Sequence, residues 1–158
     1  MSGCIWHVAA SAAWGRARWG TRTLERLFDG FGRYRPQLLS ILRIVTALLF
    51  LQHGTMKLFG FPDVGMPAAS AFTIFWWVGV LEIVGGLALI VGLWTRLAAF
   101  ILSGEMAVAY WYAHAPQGFY PLANGGETAI LFCFVFLYIA AAGPGAWAVD
   151  NARRPVTA

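Results

Sequence analysis

The stretch LLSILRIVTALLFLQHGTMKLF, residues 38–59, decides the fold. It is an apolar run interrupted by only three ionisable side chains, Arg43, His53 and Lys57. At 1.5 Å rise per residue a helix of this length is about 33 Å long, enough to cross a hydrocarbon core of about 30 Å. Three more apolar runs follow, at about residues 72–94, 97–113 and 127–142. Pro36, Pro62, Pro67, Pro116, Pro121, Pro144 and Pro155 all fall between or beyond the runs. Proline removes a backbone donor and disrupts a helix interior, so these positions mark connections.

Composition agrees. The chain of 158 residues is 59% hydrophobic and 11% charged, with mean hydropathy +0.66. A soluble domain carries about 25% charged residues, so this chain lacks the polar surface to face water all round. In lipid each backbone donor and acceptor needs an internal partner, which makes the runs helices. The expected architecture is all-α: a polytopic membrane protein with a four-transmembrane-helix bundle over residues 36–152. A basic arm, 1–35, precedes it and a short tail, 153–158, follows.

Arginine sets the expected orientation. Arg16, Arg18, Arg22, Arg26, Arg33 and Arg35 precede the first run, Arg96 sits in the turn between the second and third, and Arg153 and Arg154 follow the fourth. Residues 60–71 and 114–126 contain no Lys or Arg. The positive-inside rule then places both termini and the 94–97 turn in the cytoplasm. The net charge of +4 is read as attraction to anionic lipid rather than to nucleic acid. Within the arm, Leu24, Leu27, Phe28 and Phe31 recur at helical spacing opposite arginines, the pattern of a helix lying in the headgroup plane. A mostly disordered basic tail is the alternative. Cys4–Trp14 is apolar but too short to span, and lacks the basic flank of a signal peptide. Cys4 and Cys133 are far apart and form no CxxC pair, so neither a cysteine metal site nor thiol exchange has local support.

Ionisable groups at membrane depth cost about 2.5–3.5 kcal/mol each on insertion scales, so each calls for a role. Arg43, His53 and Lys57 fall within roughly 80° of one another on the first helix. Arg43 and Lys57, near opposite ends, either snorkel to headgroups or point inward. Glu82 lies mid-run with Gly79, Gly85 and Gly86 on its face, and small residues permit close helix approach, so that face points into the bundle. Glu105 occupies the same depth in the third run, beside Ala98, Ala109 and Tyr112. These carboxyls must be neutral, paired with a cation, or lining a polar cavity. Glu127 has a structural reading: Asn124-Gly125-Gly126-Glu127 has the spacing of a capping box, with Asn124 as N-cap. Buried polar groups also specify helix register without doing chemistry, and that reading stays open for the whole set.

The ordered motifs resemble the DoxX family of four-span bacterial membrane proteins, from about residue 38 to 151. They are the Arg…His-Gly…Lys segment of residues 38–61, LEIVGGLALIVGLWTR at 81–96, SGEM at 103–106, NGGE at 124–127 and the closing GPGAWAVD at 143–150. Ala148 or Trp147 occupies the place where that family usually has Ser. The resemblance implies the bacterial inner membrane and singles out Arg43, His53, Lys57, Glu82, Arg96, Glu105, Glu127 and Asp150. Arg96 and Asp150 would anchor the cytoplasmic face. Some relatives look like membrane subunits of sulfur-compound quinone oxidoreductases, and others are linked to redox-stress assemblies.

Two functions are therefore expected to compete. In the first, the protein is a membrane subunit of a quinone-linked redox system with a soluble or membrane redox partner protein. His53, Lys57 and the glutamates would meet the quinone head, with Phe50, Phe59, Trp76, Trp77, Tyr110, Trp111, Tyr112 and Phe119 around it. For Trp76, Trp77 and Trp111 the interfacial belt is the competing role. In the second, it is a scaffold or small-molecule carrier that recruits partners through its basic arm. Haem is disfavoured, because His53 and His114 alone are a thin ligand set. No self-contained catalytic motif, phosphate loop or nucleic-acid module is present.

Overall fold

A computed structural model describes Glu25 and residues 28–152. The arm expected over 1–35, its amphipathic helix and the tail at 153–158 thus lie largely outside the described residues. Ahead of residue 37 the chain groups as a separate unit. Its described part holds a helical turn at 28–32, a hydrogen bond from Tyr34 N to Phe31 O of 2.9 Å, and Arg33 stacked 4.9 Å from the Tyr34 ring.

The architecture is all-helical among the described residues. Helix α1 runs Arg35–Phe59, α2 Ile74–Val91, α3 Thr95–Ala109, α4 Pro121–Asn124, α5 Glu127–Ala142 and α6 Val149–Ala152. By length and composition α1 and α2 each suffice to cross a membrane, and α5 is a shorter apolar helix. The third apolar run departs from a regular α-helix. Helix α3 ends at Ala109 and the chain continues as one π-helical turn, Tyr110–His114, closed by Ala115 N on Tyr110 O. Pro116 falls in the 3₁₀ turn that follows. The wider π turn seats Tyr110 against Gly126, where an added Cβ would meet its ring at 2.7 Å.

Contacts pass from helix to helix in a ring. Gly54 and Gly79 bring α1 against α2, Leu102 of α3 packs over Gly85 of α2, and Ser103 Oγ of α3 donates to Cys133 O of α5 at 2.8 Å. Phe50 of α1 closes the ring on α5, edge-on to Phe136 at 4.9 Å and Phe132 at 5.2 Å. Ala47, Phe50, Leu89, Ala99, Leu102, Phe136 and Ile139 form the solvent-free centre. Leu48, Leu49, Val84, Leu87, Phe100, Val108, Leu131 and Phe134 face outward. An apolar exterior around a small core is the inverse of a soluble domain and suits lipid contact.

One end is stitched by backbone hydrogen bonds to charged side chains. Arg43 is completely buried, and its guanidinium donates to the carbonyls of Leu89, Ile90, Pro144 and Trp147. Trp147 N donates to Ser40 Oγ at 3.0 Å. Asp150 accepts from Trp94 N and Thr95 N, both at 2.8 Å, and so starts α3. Arg96 Nη1 donates to Ala140 O at 2.8 Å and Ala141 O at 2.5 Å, finishing α5. Gly92 ends α2 with φ +71°, and a Cβ there would stand 2.5 Å from Ala148 Cβ and 2.9 Å from Arg43 Nη1. Only glycine meets both demands.

A buried ion pair between two glycines

The candidate site starts from a close approach. A Cβ added to Gly54 would lie 2.8 Å from Ile83 Cγ1, 3.0 Å from Gly79 O and 3.1 Å from Glu82 Cβ; one added to Gly79 would lie 3.0 Å from Lys57 Cβ. Two bare backbones therefore touch where α1 and α2 meet. That contact puts Lys57 Nζ 2.5 Å from Glu82 Oε1, the one salt bridge among the described residues. The Glu82 side chain is 1% exposed and that of Lys57 is 20% exposed. Lys57 thus points inward instead of snorkelling.

Glu105 of α3 completes the cluster, within electrostatic reach of both Glu82 and Lys57. Both its carboxyl oxygens are buried without a hydrogen-bond partner among the described residues, and so is Glu82 Oε2. The one ammonium is paired with Glu82 alone, and three carboxyl oxygens of the cluster lack a donor among the described residues. A buried acceptor left in that state costs about 1–3 kcal/mol. The cluster can therefore accept hydrogen bonds from a donor brought to it.

The other sequence-predicted residues lie at different places. His53, one turn before Lys57, is exposed and rests edge-on against Phe132 at 5.8 Å, with Phe50 at 6.2 Å. Arg43 is separated from Lys57 by fourteen residues of α1, about 21 Å of helix, and belongs to the stitched end. Arg96 and Asp150 share that end. Glu127 is exposed and outside the cluster. The capping box does not form: α5 starts after Gly126, and Asn124 Oδ1 accepts instead from Gly126 N at 2.8 Å. Asn124 has been drawn into α4, so its side chain reaches two residues ahead and no further. Of the aromatics, Phe50 packs inward, while Phe59, Trp77, Trp111, Tyr112 and Phe119 are exposed. The exposed set suits an interfacial belt better than a pocket wall.

Three features escaped the sequence reading. Gly54 stands in the His-Gly pair but carries the α1 side of the helix contact. Phe132 and Phe136 bear no polar signal, yet they hold Phe50 and His53 in place. His114 Nδ1 lies 3.0 Å from Asn124 O, tying the π turn to α4. Among the described residues no three His, Cys, Asp or Glu side chains gather as metal ligands.

The sequence model of the family described as DoxX matches residues 38–115, the segment holding Arg43, Lys57, Glu82, Arg96 and Glu105. A protein of Haemophilus influenzae, named only as an uncharacterized protein, is 50% identical over 124 residues, 75% of this chain and 92% of its own length. The chain belongs to the DoxX family. A protein of Mycobacterium tuberculosis, named as an uncharacterized membrane protein, is 31% identical over 135 residues, 73% of this chain and 81% of its own. No solved structure matches this DoxX protein. It is a membrane protein, and both relatives are bacterial.

Proposed function

We propose that this DoxX-family protein is a four-span subunit of a quinone-linked redox system that holds the quinone head at Lys57, Glu82 and Glu105. The observation that carries the reading is the buried cluster of one ammonium and two carboxyls with three donorless oxygens. The ring of contacts through α1, α2, α3 and α5 supports a transmembrane four-helix bundle. The arginine distribution supports an inner-membrane location with both termini cytoplasmic.

The fit is one of hydrogen-bond type. The donorless oxygens of Glu82 and Glu105 match the hydroxyl groups of a quinol, and Lys57 can donate to a quinone carbonyl. A quinone couple supplies two-electron, two-proton carrier chemistry. The chain's own part is to bind and orient the head through Lys57 and the carboxyl oxygens of Glu82 and Glu105. Lys57 pairs with Glu82, and the Glu105 carboxyl has both oxygens free of a hydrogen-bond partner among the described residues. Electrons would leave to a redox partner protein.

Calorimetric titration of the purified protein with a short-chain quinol tests this. One saturable site is expected, weakened at least ten-fold in both Lys57→Met and Glu105→Gln. Equal binding by wild type and both variants would reject the assignment.

A further inference from the structure

At the other end of the molecule, around the α2–α3 turn, a cavity of about 420 Å³ is lined by Trp94, Thr95, Arg96, Leu97, Pro144 and Asp150. A second cavity of about 150 Å³ runs between α2 and α3, past Val84, Gly85, Ala88, Ile101 and Leu102. Trp94 and Leu97 line both, so a largely apolar mouth that carries Arg96 and Asp150 among its lining residues continues into an apolar groove. That shape matches one molecule with a polar head and a chain.

Charge selects the head. Arg96 has no carboxylate partner among the described residues. Its Nη1 is committed to Ala140 O and Ala141 O, which fixes the guanidinium, while Nε and Nη2 make no hydrogen bond among those residues. Asp150 is already engaged by Trp94 N and Thr95 N, one amide on each carboxylate oxygen. Arg43 is buried at the same end, and Asp150 is within electrostatic reach of its guanidinium. Thr95 adds a buried hydroxyl with no partner among the described residues at the cavity wall. Trp94 and Leu97, 67% and 59% exposed, mark the level where headgroup meets chain.

We propose that this end binds one anionic glycerophospholipid, its phosphodiester on the Arg96 Nε–Nη2 edge and an acyl chain along the α2–α3 groove. The guanidinium presents its N–H pair to a phosphodiester in a fork, and a basic membrane face favours an anionic headgroup. The site is independent of the Lys57 cluster and of any quinone.

Native mass spectrometry of the full chain, supplied in turn with phosphatidylglycerol and phosphatidylcholine, provides the test. One phosphatidylglycerol should be retained per chain, at least five-fold in preference to phosphatidylcholine. Arg96→Gln should abolish that preference. Ala88→Phe, which fills the groove and leaves Arg96 untouched, should reduce retention of both lipids at least five-fold with an unchanged circular-dichroism spectrum. Equal retention of the two lipids by wild type, or full retention by Ala88→Phe, would overturn the proposal. So would displacement of the lipid by glycerol phosphate at equal concentration, because the chain would then contribute nothing. Should Arg96→Gln fail to fold, the lipid comparison and Ala88→Phe still decide.

Discussion

Gly54 of α1 faces the carbonyl oxygen of Gly79 of α2 so closely that a methyl group on Gly54 would stand 3.0 Å from it. This contact sets the separation of the two helices at the level of Lys57 and Glu82, and hence the 2.5 Å ion pair. Gly54→Ala should push the helices apart. Overpacking of a tight contact costs about 1–3 kcal/mol, so the unfolding midpoint in detergent should fall by several degrees. A melt unchanged from wild type would mean that the helices have room for a methyl group.

The pair itself should show strong coupling. Lys57→Met leaves the Glu82 carboxylate buried without its cation, a change that costs about 3–5 kcal/mol when the partner stays charged. Glu82→Met in addition removes the orphaned charge. The double variant should therefore be more stable than Lys57→Met alone, which thermal melts of the four members of the cycle will measure. Additive losses would indicate that the two side chains do not depend on each other.

At the stitched end, Arg43 satisfies four carbonyls contributed by α2 and by the segment after α5. Arg43→Met keeps the stem but withdraws every donor. With about 1–3 kcal/mol lost per stranded buried carbonyl, the variant should express poorly or melt far below wild type. Arg43→Lys should rescue only in part, because an ammonium cannot span the fork of acceptors. Wild-type stability in Arg43→Met would show that the guanidinium is not what holds these segments together.

Asp150 is the cap of α3 through both of its oxygens. Asp150→Ala should cost about 0.5–2 kcal/mol, the range for loss of an N-terminal cap. Because the cap also holds Trp94 at φ +46°, limited proteolysis should gain a cut near the α2–α3 turn. An unaltered digestion pattern would argue that Trp94 is held by packing alone.

Much of this was legible in the chain, for reasons that can be named. Glu82 lies among Gly79, Gly85 and Gly86, and glycines on one face with an acid identify a helix contact from sequence alone. The proline and glycine positions likewise separate the helices. Arg43 shows the limit. Its angular position groups it with His53 and Lys57, but its partners are carbonyls at the ends of other segments, which side-chain patterns do not reveal. Asn124 shows another: the spacing to Glu127 suits a cap, yet Pro121 starts α4 first and takes Asn124 into it. The π turn at Tyr110–His114 seats the Tyr110 ring against Gly126, a contact between residues sixteen apart that the local sequence does not reveal.

The most direct test is mass spectrometry of small organic molecules extracted from gently purified protein, with Glu82→Gln prepared alongside. Stoichiometric quinone or quinol is predicted in the wild type, and its loss in the variant, with the variant still folded by circular dichroism. Phospholipid alone, in equal amount from both proteins, would contradict the quinone assignment.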